Sequence, residues 1–207
     1  MLEKLPEVIG QALQGVRAGL DNIAFNNSGL RTGMNAIELA SLAFVDHGEI
    51  PARYTADGEG VSPPLSWVHV PEGAKSLLLI VEDADSPTPH PLVHAIVAGL
   101  EPADGALAEG AIASDGHEGI GLRTGRNSYL QHAWLPPDPP PGHGWHRYAF
   151  QIFALAADAP ELSESPGREE VLEMLAAHAV ASGLLIGRYE RPDTSIQIPT
   201  SAPLASA

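Results

Sequence analysis

Two aspartates stand two residues apart at the end of an unbroken apolar run: Leu77, Leu78, Leu79, Ile80 and Val81 lead through Glu82 into Asp83, Ala84 and Asp85. Side chains alternate along a strand, so Asp83 and Asp85 share one side if the strand continues. Carboxylates that close persist together when one is neutralised, hydrogen-bonded or faced by a cation. Histidine is the available cation: His94 interrupts the apolar run 92–97, and His146 precedes a third run, 147–155. An imidazole titrates near pH 6.5, so it can bind an oxyanion, carry a proton or ligate a metal.

Three readings follow from those residue types. In the first, His94 and His146 donate to an oxyanion, Asp83 or Asp85 orients a ring, Tyr148 lines the wall, and Ser128 with the backbone amides of 127–130 adds donors. In the second, Asp85, His90, His94 and His146 form a metal-dependent or acid–base hydrolase. In the third, each residue is held by an ordinary structural hydrogen bond. Gly-x-Ser-x-Gly, Gly-x-x-x-x-Gly-Lys, Gly-x-Gly-x-x-Gly and His-Glu-x-x-His are all absent, and Gly119, Gly121 and Gly125 have the wrong spacing for a nucleotide loop. No catalytic residue, metal ligand or cofactor is therefore assigned, and a non-enzymatic binding role is expected.

The elements that must position these residues read as mainly β. With 207 residues the chain can bury one sizeable core, and its 21 Gly and 19 Pro favour many short elements joined by turns over a helical bundle. Runs 77–81, 92–97 and 147–155 are the clearest strands, and in the last Tyr148, Phe150 and Ile152 face one way while Arg147, Ala149 and Gln151 face the other. Segments 101–125 and 136–144 read as surface loops, the second an exposed, stiff stretch able to engage a protease or kinase. A C-terminal helix is expected with Ser165 as N-cap and Pro166 at its first position, ending at Gly183, followed by a short strand over 184–189.

At the N-terminus, Leu2, Leu5, Ile9, Ala12, Leu13, Val16, Leu20 and Ile23 fall on one helical stripe, so an amphipathic helix is expected, docked on its own domain or on a second copy in a homodimer. Gly10, Gly15 and Gly19 each weaken that helix by about 1 kcal/mol relative to Ala. The organisation expected is residues 1–35 as helical extension and linker, 36–192 as the main domain and 193–207 as a loosely held tail. A formal charge of -15 would repel nucleic acid and anionic lipid surfaces. With no signal peptide pattern and no long apolar run, a cytoplasmic location is expected, and the absence of Cys leaves the compartment open on that count.

Several segments, in order, resemble the phosphatidylethanolamine-binding protein family, in particular its bacterial branch similar to Raf kinase inhibitor. Pro51 with Tyr54-Thr55-Ala56-Asp57-Gly58 and Ser62-Pro63-Pro64-Leu65-Ser66-Trp67 resembles the opening signature. Asp83-Ala84-Asp85-Ser86-Pro87 resembles the Asp-Pro-Asp-Ala-Pro pocket motif, and His94 falls at the place of a pocket histidine. Gly144-Trp145-His146-Arg147-Tyr148 resembles the Gly-x-His-Arg-Tyr strand, and 172–178 with 184–191 the closing helix and strand. The resemblance covers about 39–191 and implies an antiparallel β-sandwich with terminal helices. It also implies a pocket for phosphate or a phospholipid headgroup such as phosphoethanolamine, and kinase or protease modulation as a further role. Ala95 stands where the family often has Trp, which would reshape the pocket wall, and 127–137 carries extra residues relative to the family's Gly-Pro-x-Pro-Pro form.

Overall fold

Apolar runs interrupted by Gly, Pro and Asp fold here into two packed sheets. The computed structural model describes residues 7–30 and 36–191; the expected tail 193–207 and part of the expected linker lie outside them. Eight strands are found among the described residues: β1 Glu38–Ala40, β2 Gly48–Glu49, β3 Leu65–Val68, β4 Ser76–Asp83, β5 Leu92–Leu100, β6 Gly105–Leu107, β7 His146–Leu155 and β8 Ala179–Tyr189. The large sheet has the order β2-β8-β7-β4-β5 and the small one β1-β3-β6, with every pair antiparallel except β2 with β8. Strand β6 falls inside 101–125, which sequence reasoning leaves as loop. Its three residues pair with β3 and cover Trp67, so tertiary pairing overrides the local Gly-rich signal.

The large sheet is buried on both faces. Alternation sends Leu77, Leu79, Val81, Tyr148, Phe150 and Ile152 inward against Leu39, Leu65, Trp67 and Leu107 of the small sheet. It sends Leu78, Ile80, Phe153 and Leu155 outward against Val171, Met174 and Leu175 of the C-terminal helix. That is why 77–81 reads as a continuous apolar run, and it bears out the two faces expected for 147–155. The C-terminal helix, α3, spans Arg168–His178 with Gly167 as N-cap, so the expected cap at Ser165 and stop at Gly183 are corrected. Residues 179–183 pair with β7 instead, so helix gives way directly to strand.

The N-terminal segment is not one helix. Helix α1 covers Glu7–Leu13, a 3-10 turn Leu20–Asn22, and the short α2 Ala24–Asn27. The stripe breaks at Gly15 and Gly19: the latter has φ 90, and its N–H donates to Ala84 O at 2.7 Å, beside Ala18 N–H to Ser86 O at 3.1 Å. Pairing with the turn after β4 outcompetes a helix already weakened by its glycines. Ile23 and Ala24 are fully buried against the outer face of the large sheet.

Helix α1 docks on the proline-rich loop through Gly10, where a Cβ would stand 2.0 Å from Pro141 O. Gly10→Ala should therefore lower the unfolding free energy by about 1–3 kcal/mol through overpacking. At Gly15 a Cβ meets nothing within 4 Å, so Gly15→Ala should be neutral or stabilise by about 0.4–1 kcal/mol. Denaturant midpoints of the pair check this; equal midpoints would mean α1 is not docked as described.

Candidate functional site

The sandwich is open at the end where β4 stops and β7 begins. There a pocket of about 280 Å³ is lined by residues that include Asp83, Ser86, His94, Tyr129, Asp138 and His146. A β-bulge aims His94 into it. Pairing of β4 with β5 steps from Val81↔Ala95 to Glu82↔Val93, so His94 is the extra residue with no partner across the ladder. Bulges re-aim side chains in this way. The ring packs edge-on against Tyr148 at 5.2 Å between centroids and near Trp134 at 6.2 Å. Ala95 lies in the inter-sheet core, not in the pocket wall.

His94 Nδ1 donates to Leu135 O at 2.6 Å, which leaves Nε2 as a buried lone-pair acceptor with no partner, on a residue that lines the pocket. Burial is the main force on this imidazole and pushes its pKa below the usual value; the nearby Asp83 charge opposes it and loses. The neutral ring is therefore the resting form. Tyr148 hydroxyl is likewise buried without a hydrogen bond, its pKa held well above the ordinary phenol by burial; the ring packs on His94 in the inter-sheet core and is not among the pocket-lining residues, which corrects the expectation that it forms the wall.

His146 is occupied on both nitrogens. Nδ1 meets Asp83 Oδ2 at 2.7 Å, and Nε2 meets His143 Nδ1 at 2.6 Å; His143 Nε2 in turn donates to Leu13 O at 2.8 Å. A complete set of these three hydrogen bonds takes three protons, whereas two neutral imidazoles carry two. The chain Leu13–His143–His146–Asp83 is therefore complete with one added proton, which leaves the trio of side chains neutral overall. His143 is buried, which lowers its own pKa against a smaller opposing pull from Leu13 O. His146 lines the pocket but has no free ring nitrogen for a ligand, which corrects the expectation that it donates beside His94.

The two aspartates part company. β4 ends at Asp83, whose Oδ1 accepts the Asp85 N–H at 2.8 Å, and the chain turns so that Asp85 leaves the pocket. Asp85 accepts from Arg147 N, Nε and Nη2 at 2.7–2.8 Å and pairs with Arg17 at 3.1 Å. Burial works to raise the Asp85 carboxyl, but hydrogen bonds and charge from Arg147, with Arg17 beyond, outweigh it and hold the pKa below the ordinary value. The expected shared side for Asp83 and Asp85 fails because the strand does not continue.

Ser128 is also elsewhere. Its Oγ accepts from Val93 N–H at 2.8 Å and its N–H donates to Val93 O, while Tyr129, Leu130 and Gln131 N–H groups all turn inward to Asn127. None of these donors is aimed at a ligand. The ligand set Asp85, His90, His94 and His146 is not assembled either, because Asp85 is held by the arginines and His90 is exposed. The stretch 136–144 is not an exposed arm: Pro137, Pro139, Pro140 and His143 are buried, and Arg191 holds it through Asp138 at 2.6 Å and Pro139 O at 3.2 Å. Sequence reasoning missed His143, Asp138 and Arg17. The one legible signal for His143 was its place three residues before His146 in a Gly-flanked stretch.

The phosphatidylethanolamine-binding protein family model matches residues 40–190. The chain belongs to this family. A UPF0098 protein of Methanothermobacter thermautotrophicus is 38% identical over 155 residues, 75% of this chain and 99% of the relative. One from Aquifex aeolicus is 33% identical over 172 residues, 83% and 99% of the two chains. Among solved structures, CT736 of Chlamydia trachomatis, described as a homolog of phosphatidylethanolamine-binding protein, gives a TM-score of 0.67 at 38% identity, covering 76% of this chain and 99% of that one. E. coli YbcL, described as a member of the mammalian PEBP family, gives 0.68 at 26% identity, covering 75% and 99%. Within the PEBP domain, the bulge at His94 and the start of β7 at His146 fall inside the matched span, whereas Leu13 and Arg17 lie before it. No helix among the described residues is long and apolar enough to cross a membrane.

Proposed function

We propose that the pocket binds a small phosphate-type group, free or as the headgroup of a phospholipid such as phosphoethanolamine, and that binding carries a proton to His94. The observation behind this reading is the buried, unpartnered Nε2 of His94, a residue that lines the pocket. An orphaned acceptor there costs about 1–3 kcal/mol, a deficit that a donor on the ligand or an added proton removes. A phosphate monoanion brings its own P–OH to Nε2. A dianion induces protonation of the ring, which then donates to a phosphate oxygen. Non-catalytic binding is favoured because, among the described residues, the Ser-to-His side-chain contact is Ser165 with His132, outside this pocket. Any modulation of a kinase or protease would then follow from pocket occupancy, since the 136–144 loop is pinned.

The sign of the pH dependence follows from the depressed His94 pKa. Burial lowers the His94 pKa, so the free protein holds the ring neutral at pH values where an ordinary imidazole begins to charge; binding then takes up a proton, and affinity for phosphoethanolamine should rise as pH falls from about 8 to 6. Sulfate, which does not titrate in this range, isolates the protein's contribution. Calorimetry in two buffers of different ionisation enthalpy should show proton uptake with both probes. Flat affinity for sulfate with no uptake would refute the His94 role. Stability of the free protein follows the same group: it is fully present above about pH 6.5 and is lost as pH falls towards the depressed folded pKa, because the unfolded chain binds the proton first.

A further inference from the structure

We propose a second anion site, for inorganic phosphate or a phosphate monoester, in the cleft formed by Arg17, Arg147 and Arg188 on the face of the large sheet opposite the pocket that holds His94. The cleft has a volume of about 420 Å³ and is lined by Arg17, Asp85, Trp145, Arg147 and Arg188. Alternation along β7 separates the sites: His146 turns to the pocket, and Arg147 turns to the cleft.

Arg147 and Arg188 are direct cross-strand partners of β7 and β8, so their side chains stand on one face. Like charges in that position repel, and Arg17 adds a third. Asp85 is the one carboxylate in the lining and holds two of the three guanidinium groups, and Glu49, the cross-strand partner of Arg188 on β2, stands beside the third, which still leaves the row net positive in a protein whose formal charge is -15. Asp85 is saturated, with Oδ1 taken by Arg147 Nη2 and Arg17 Nη1 and Oδ2 by Arg147 N and Nε. It acts as a buried post that fixes two of the arginines.

The donors are prepared for a ligand. Arg17 is locked by backbone carbonyls, with Nε to Gln14 O at 3.2 Å, Nη1 to Trp145 O at 2.8 Å and Nη2 to His143 O at 3.0 Å. Little freedom remains to be lost on binding, which lowers its entropic cost. Arg147 Nη1 makes no hydrogen bond among the described residues. Arg188 is exposed and makes neither a hydrogen bond nor an ion pair among them; its guanidinium lies over the Trp145 ring, 5.5 Å from the centroid. Guanidinium forks match phosphate oxygens. The acidic remainder of the surface opposes nucleic acid and anionic membrane, so a small ion or ester is the occupant.

Trp145 is 44% exposed, while Trp67 and Trp134 are buried, so its indole N–H resonance reports on this cleft alone. Inorganic phosphate and phenyl phosphate are titrated in parallel against the full chain, with sodium chloride matching the ionic strength. Saturation of the Trp145 shift by either probe, weakened about tenfold or more in Arg188→Gln, supports the site; the tighter probe tells a free ion from an ester whose stem rests on Trp145. A shift that does not saturate, that chloride reproduces, or that survives unchanged in Arg188→Gln overturns it. Arg188 does not line the pocket that holds His94, so phosphoethanolamine binding there should persist in the variant, and failure of one site is separable from failure of the other.

Discussion

Glu82→Ala should lower the unfolding free energy by about 3–5 kcal/mol, the largest loss expected from a single substitution outside the apolar core. Glu82 is fully buried on the outer face of the large sheet. Its Oε1 meets Arg168 Nε at 2.6 Å, and its Oε2 accepts from Ala24 N–H at 2.7 Å and Gln151 Nε2 at 2.8 Å. One carboxylate thus ties the N-terminal segment and the start of α3 to the centre of the sheet. Truncation leaves a guanidinium, a backbone amide and a side-chain amide without their acceptor in a dry environment, each orphan costing about 1–3 kcal/mol.

Breaking this network and replacing it whole should differ. Glu82→Leu combined with Gln151→Leu and Arg168→Met removes the buried polar side chains together, and apolar substitution of a complete buried ionic cluster is often neutral or stabilising. The Ala24 amide stays orphaned, so the triple variant should recover most, not all, of the loss. Urea unfolding reads both, with the midpoint shifting and the slope unchanged if the native state stays compact. A Glu82→Ala loss below about 1 kcal/mol would show that water already reaches the network.

Why the strands were legible and the polar architecture was not has a physical answer. Strands 77–81 and 147–155 announce themselves because both faces of a central sheet are covered, so local composition carries the result. His94 was legible as a residue out of place in an apolar run, and it is the one expected donor that keeps an open nitrogen. Its bulge was not legible, since a bulge is decided by the register of two strands together. Glu82 passed unnoticed inside the acidic stretch because its partners come from residues 24, 151 and 168, far apart in sequence. Asp85 was misplaced for the opposite reason: period two was extended one turn past the strand's end. Ser128 and the amides of 127–130 looked available because nothing local shows that Asn127 and Val93 already hold them. The resemblance covered 39–191, so it could not show that Leu13 and Arg17 reach back to His143 and Asp85.

His94→Leu should remove most of the pocket's affinity for phosphate-type ligands while leaving the fold standing. If Nε2 makes a charge-assisted hydrogen bond in the complex, its loss weakens phosphoethanolamine binding by about tenfold to a hundredfold. Stability should move in the other direction at low pH. The wild-type ring is buried with an orphaned Nε2 and a depressed pKa, so it burdens the free fold increasingly as pH falls below about 6.5. Leucine fills similar space and cannot titrate, and against this stands one lost hydrogen bond to Leu135 O, about 0.5–1.5 kcal/mol. At pH 8 the variant should lie within about 1 kcal/mol of wild type, and its stability should fall less steeply between pH 6.5 and 5, with His143 contributing what slope remains. A residue that weakens the free protein and strengthens the complex is placed for binding, because a purely structural histidine would lose stability on replacement at every pH. Thermal unfolding at pH 8 and 5.5, with and without phosphoethanolamine, separates the two: undiminished ligand stabilisation in His94→Leu would remove His94 from the site, and an unchanged acid slope would mean that it does not titrate as a buried neutral ring.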